Sequence, residues 1–353
     1  MNKINKVREQ FDSLGIDGIL ITNRFNRRYM TGFTGTAGVV LISKTEAKFI
    51  TDFRYIDQAK EQAENYEIVN NERDMTAAVV AQVKKMNIKK LGFETKSLTH
   101  EEYCHYSERL EAEMVPVGKI IEQLRMIKSE DEINILKEAA HIADQTFTHL
   151  LSYIRPGITE LEVSNEIERY MRTLGATSSS FDTIVASGYR ASLPHGVASP
   201  KVIEKGELVT LDFGAYYKGY CSDITRTIAV GEISEEWKEI YHIVLHAQEK
   251  AIQGIKPGVT GREIDELARG YLREKGYGQY FGTGTGHGIG LEIHEEPFLS
   301  TKSDVVLEPN MVITVEPGIY IPEKSGVRIE DDMIVTESGY EIITHSTKEL
   351  III

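Results

Sequence analysis

The chain has 353 residues, 41% of them apolar and 27% charged, with 40 basic against 54 acidic side chains and a formal net charge of −14. That length fits two domains better than one core, and the composition is that of a folded globular chain, which excludes disorder. A surface this acidic repels phosphate backbones and anionic lipid, so neither nucleic acid nor a membrane is expected as a partner, whereas divalent cations suit it. No apolar run nears the roughly 20 residues that a bilayer span needs. The opening MNKINKVREQF lacks the apolar stretch and cleavage site of a secretory leader. Cys104 and Cys221 are too few for a disulfide framework, and a reducing cytoplasm is the expected location.

Up to about residue 117, short apolar runs alternate with helix-period segments. GIDGILIT (15–22), GVVLIS (38–43) and KLGFE (90–94) are expected strands, and 52–64, 73–86 and 99–110 are expected helices, a small α/β domain. No His, Cys or carboxylate cluster at ligand spacing occurs there, so its expected work is structural. The pattern then changes, and the boundary is set between 117 and 126, giving domains 1–120 and 121–353. Ser129 and Glu132 form a capping box, followed by Ile133, Leu136, Ala140, Ala143, Phe147, Leu150 and Leu151 at helical spacing, a helix that must end before Pro156.

The second part contains an internal repeat. IRPGITELEVSNEIERYMRTLG (154–175) lies over IKPGVTGREIDELARGYLREKG (255–276), each with Pro-Gly, a T-x-x-E capping box and a helix closed by Gly. KVIEKGELVTLDFG (201–214) lies over VVLEPNMVITVEPG (305–318), which sets Asp212 on Glu316 and Thr210 on Thr314. Two such halves are expected to pack about a pseudo-twofold axis with their acidic strand positions facing.

Those acids are out of place in strands. LDFGAYYKGYCSDITRTIAV (211–230) is expected as two strands joined by a turn at Lys218-Gly219, with Asp212 ending the run LVTL and Asp223 beginning DITRTIAV, and Glu316 ends MVITV. In VRIEDDMIVT, period two sets Val327 and Ile329 on one face and Arg328 and Glu330 on the other. An ionised carboxylate on a core face costs several kcal/mol unless paired, so four of them need a positive partner. Arg226 and Arg328 could cancel two charges. The run GTGHGIGLEIHEEP (284–297) favours metal instead, because glycines around His287 let backbones approach the ring. One imidazole with four carboxylates is a hard donor set, suited to manganese or cobalt rather than to structural zinc. Four negative charges call for two divalent ions, which at roughly 3.5–4 Å can share and acidify a bridging water. Other chemistries lack support: no G-x-G-x-x-G with a following G-K-[ST], no H-E-x-x-H and no G-x-S-x-G occurs.

Together SLPHG, LDFGAYYKGYCSDITRT, GTGHGIGLEIHEEP, ITVEPGIY and GVRIEDD, spread over residues 125–345, resemble the pita-bread metallopeptidases, in particular the proline-specific branch of aminopeptidase P and Xaa-Pro dipeptidase (prolidase). The resemblance implies an α+β architecture: a duplicated pita-bread catalytic domain preceded by a smaller creatinase-type α/β domain. It implies a dinuclear site of Asp212, Asp223, His287, Glu316 and Glu330, with Asp223 and Glu330 bridging. His195, His294, Tyr320 and Arg328 would lie around the substrate. The implied reaction is hydrolysis of the bond between an N-terminal residue and proline by a hydroxide bridging the ions. In it Glu316 is the general base, His195 and His294 donate to the developing oxyanion, and Arg328 binds a carboxylate or orients Glu330. A homodimer is implied as well. The rivals are a methionine aminopeptidase-like exopeptidase and a scaffold protein that keeps the fold without the chemistry.

Overall fold

The computed structural model describes residues 3–353, which divide into two compact units, 3–125 and Met126–Ile353. In the first unit a six-stranded mixed sheet carries Gly18–Ile21 and Val39–Ser43 at its centre, paired antiparallel, with Lys90–Glu94 parallel to the former. These are the three strands expected from sequence. The two central strands are buried at every position because the sheet is covered on both faces there. Helices Ile56–Gln62, Met75–Lys85 and His100–Arg109 fall in the three expected segments. Ala47–Thr51, Glu67–Asn70 and Glu113–Val117 complete the sheet. The last two are its edges, only half buried, so they lack the continuous apolar run that marks the central strands.

The second unit is built twice. Helices Glu160–Thr173 and Gly261–Glu274 each span 14 residues and begin with complete capping boxes, Thr159 with Glu162 and Thr260 with Glu263. The same backbone bonds recur beside them. Gly157 N–H donates to Ile203 O and Gly258 N–H to Leu307 O, each at 2.9 Å; Thr159 bridges Val202 as Thr260 bridges Val306. This repetition of hydrogen bonds, position by position, bears out the duplication read from the sequence.

Each half lays its helices on an antiparallel pair. Glu207–Phe213 pairs with Ile224–Val230 under helix Glu130–Tyr153, sharing a core of Phe147, Leu150, Val163, Ile167, Leu211 and Ile228. Val312–Val315 pairs with Asp331–Val335, packed with Val244, Ala251, Ile264 and Leu272 of the second pair of helices. The long first helix starts at the Ser129–Glu132 box and stops at Tyr153, ahead of Pro156, as expected. No helix among the described residues is long and apolar enough to cross a membrane.

One expectation needs correction. Residues 211–230 are not two continuous strands: each breaks, and the outer piece Ala215–Tyr217 joins a separate sheet with Ser178–Ser179. At the break Ser222 N–H still bonds Ala215 O at 3.1 Å, while its hydroxyl accepts from Ala215 N–H at 2.9 Å and donates to Ala139 O at 3.0 Å, tying the bend to the helix beside it.

Candidate metal centre

Strand interruptions place the acids. Asp223 immediately precedes Ile224–Val230, Glu316 lies between Val312–Val315 and Gly318–Ile321, and Glu330 lies between Ser325–Arg328 and Asp331–Val335. Asp212 sits within Glu207–Phe213, opposite Thr225. His287 is the middle residue of Gly286–Gly288. A Cβ on Gly286 would stand 2.0 Å from Thr314 O and one on Gly288 2.3 Å from Glu296 O, so only glycine allows the flanking backbones to close around the imidazole.

All nine residues singled out in the sequence line one cavity of about 490 Å³: Asp212, Asp223, His287, Glu316 and Glu330, with His195, His294, Tyr320 and Arg328. Phe181, Ile184, Ile293 and Phe298 supply apolar wall. One atom each from Asp223, His287 and Glu330 lies within 4.8 Å of the other two, which brings acids of both halves together. His287 Nε2 is 3.3 Å from Glu316 Oε1 and 3.7 Å from Asp223 Oδ2. Its Nδ1 lies 3.1 Å from Gly288 O, an acceptor, so Nδ1 donates there and Nε2 is turned to the carboxylates.

The salt-bridge alternative can be settled charge by charge. Arg226 pairs with Asp331 at 2.7 Å, outside the cluster. Arg328 meets Asp212 Oδ2 at 2.5 Å and also donates to Tyr320 Oη at 2.7 Å, Pro194 O at 3.2 Å and Thr225 Oγ1 at 3.1 Å. It reaches Glu330 only through Thr225, whose hydroxyl donates to Glu330 Oε2 at 2.6 Å. The guanidinium therefore orients Asp212 rather than Glu330, and it cancels one charge of four.

The remainder is uncompensated. Asp212 Oδ1, Asp223 Oδ1 and Glu330 Oε1 are buried without a hydrogen-bond partner. Burial, and then the Glu330 charge, push Asp223 well above the usual carboxylate range. Burial, followed by Glu316 and Asp212, does the same to Glu330. Burial also raises Asp212, against the pull of Arg328. Burial pushes Glu316 up, but the His287 hydrogen bond and the charges of His287, Arg328 and His294 together bring it below the ordinary range; burial lowers His287, but contact with Glu316 and other neighbours raises it overall. His294, whose ring meets the His287 ring edge-on at 4.4 Å, is lowered by burial and by that neighbour. Unpaired carboxylate oxygens converging beside an imidazole nitrogen are the donor set of a hard divalent cation, and the residues fit one.

Two partners escaped the sequence reading. Thr225 serves both Glu330 and Arg328, and period two from Asp223 points to it. Asp332 accepts Asp223 N–H at 2.9 Å from the far strand, and no local signal marks it.

A duplicated α+β frame holding such a pocket defines a metal-dependent hydrolase. The chain belongs to metallopeptidase family M24, whose model matches residues 134–337, and residues 3–127 match the creatinase/prolidase N-terminal domain. It is 64% identical to a solved Xaa-Pro dipeptidase from Bacillus anthracis, with 99% of each chain covered and a TM-score of 0.98. An X-Pro aminopeptidase structure from Thermotoga maritima is 41% identical over 98% of this chain and all of that one, with a TM-score of 0.91. An Xaa-Pro dipeptidase of Pyrococcus horikoshii is 41% identical, covering 99% of this chain and 98% of its own. The architecture is thus a creatinase-type domain followed by the pita-bread domain.

Proposed function

We propose that the protein hydrolyses the bond between an N-terminal residue and proline. The observation that carries this reading is the set of buried, unpartnered oxygens on Asp212, Asp223 and Glu330, which face one cavity beside His287. The substrate class is supported by the relatives, two named Xaa-Pro dipeptidases and one an X-Pro aminopeptidase.

In this reading Asp212, Asp223, His287, Glu316 and Glu330 would together hold two divalent ions. With Arg328 on Asp212, three negative charges remain; one divalent ion leaves a deficit, and two leave a positive site for an oxyanion. The ions supply Lewis-acid polarisation of the scissile carbonyl and acidify the attacking water. Glu316 takes the proton of that water and delivers it to the departing proline nitrogen. His195 and His294 donate to the carbonyl oxygen as negative charge grows on it, and a neutral His294 suits a donor that must not repel the ions. Tyr320 stands against the substrate, while Arg328 keeps Asp212 aimed and retains an N–H for a substrate carboxylate.

The reading extends to manganese, with cobalt as its substitute, on the oxygen-rich donor set. It extends to the cytoplasm on two free thiols, and to a homodimer on the family resemblance alone. The test is hydrolysis of Ala-Pro, Ala-Pro-Ala and Met-Ala by the purified chain with added manganese. Cleavage of Ala-Pro but not Met-Ala is expected, and Ala-Pro-Ala separates a dipeptidase from an aminopeptidase. Preference for Met-Ala would favour a methionine aminopeptidase, and no turnover with any metal a scaffold.

A further inference from the structure

Glu160 opens helix Glu160–Thr173 with a fully buried side chain. Its Oε1 accepts from Ser187 N–H at 2.8 Å and Ser187 Oγ at 2.9 Å. Its Oε2 accepts from Ser199 N–H at 3.1 Å, from Ser199 Oγ at 2.7 Å and from Arg190 Nη1. Arg190 then donates from Nη2 to Val197 O at 2.8 Å. One carboxylate thus grips both ends of the 187–199 loop, whose Pro194 and His195 line the cavity. His195 itself is exposed, so packing does not hold its ring, and its segment is fixed by these anchors together with the Arg328 bond to Pro194 O and the bridge between Ile184 and Val197.

The duplication shows that this carboxylate is not part of the common frame. The corresponding residue of the second half is Gly261, where a Cβ would stand 2.2 Å from Phe298 O. There the backbone closes directly and no side chain fits. In the half that presents His195 the corresponding place is filled by a charged anchor.

We propose that Glu160 is a positioning residue for the reaction, holding the 187–199 loop so that His195 meets the scissile carbonyl. This rests on the role proposed for His195. The test compares Glu160→Gln, Ser199→Ala, His195→Ala and the double variant Glu160→Gln/His195→Ala. The readouts are kcat and KM on Ala-Pro, bound manganese, and the rate of tryptic cleavage after Arg190. Glu160→Gln should lower kcat on the order of a hundredfold, as a misplacement of about 1 Å does, with KM and metal content unchanged and cleavage after Arg190 accelerated. Ser199→Ala, which removes one donor and keeps the charge, should move the same readouts less, and it serves as the test where Glu160→Gln does not fold. The double variant should be no slower than His195→Ala alone. Losses that multiply in the double variant, loss of metal from Glu160→Gln, or unchanged kcat would overturn the proposal. A wild-type chain that leaves Ala-Pro intact would instead sink the peptidase reading itself.

Discussion

Glu330 and Asp331 are neighbours in the chain and both are buried, yet their carboxylates are in opposite circumstances. Asp331 Oδ1 accepts from Arg226 at 2.7 Å and Thr344 at 3.0 Å, and its Oδ2 from Gln248 at 2.8 Å and Lys348 at 2.9 Å. Burial pushes that carboxyl up, but Arg226 and Lys348 outweigh it, and it ends below the usual range. Glu330 has one hydroxyl donor on Oε2, nothing on Oε1, and sits well above the range. A saturated network of this kind fixes the fold, whereas a half-saturated one is tolerable only if something else binds there. One peptide bond separates a structural acid from a proposed metal ligand.

The comparison breaks if the two residues respond alike. Glu330→Ala should lower turnover on the order of a thousandfold, about 4 kcal/mol in the barrier, and reduce bound metal, while the thermal midpoint of the metal-free protein holds or rises. Steady-state kinetics, metal analysis and calorimetry on the same sample check all three. Asp331→Ala should do the reverse: it leaves Arg226 buried without its partner and costs about 3–5 kcal/mol of stability, while the folded fraction keeps its full complement of metal. Denaturant unfolding and metal analysis of the soluble protein read this out.

A surface acid sharpens the contrast from the weak end. Glu166 is held down to about 2 by Arg169 first, against some desolvation, and by His149. Its folded value is below the ordinary 4.5, so its contribution is complete above that pH and is lost as the pH falls toward about 2. Glu166→Gln should lower the midpoint at pH 6 by only about 1–3 °C, since a solvated pair is worth at most about 1 kcal/mol, and the difference should shrink on acidification.

Much of the site was legible because its residues break rules that strands otherwise obey. Asp212, Glu316 and Glu330 stand at the ends of apolar runs, and His287 stands among glycines that nothing but close approach requires. The duplication was legible because capping boxes are written in sequence as well as in hydrogen bonds. What was hidden depends on partners distant in the chain. The choice of Asp212 by Arg328, the support of Asp223 by Asp332 and the grip of Glu160 on Ser187 and Ser199 all bring together residues whose separation carries no local period. The edge strands of the first unit were missed for a different reason, since a half-solvated strand needs no apolar run.

The central claim is that the unpaired acids exist to chelate. Equilibrating the wild-type chain with excess manganese, removing the unbound ion and counting what remains tests it most directly. Two equivalents per chain are expected, falling below one in Asp223→Ala and staying at two in His195→Ala. A correctly folded wild-type chain that retains no stoichiometric divalent ion would contradict the account.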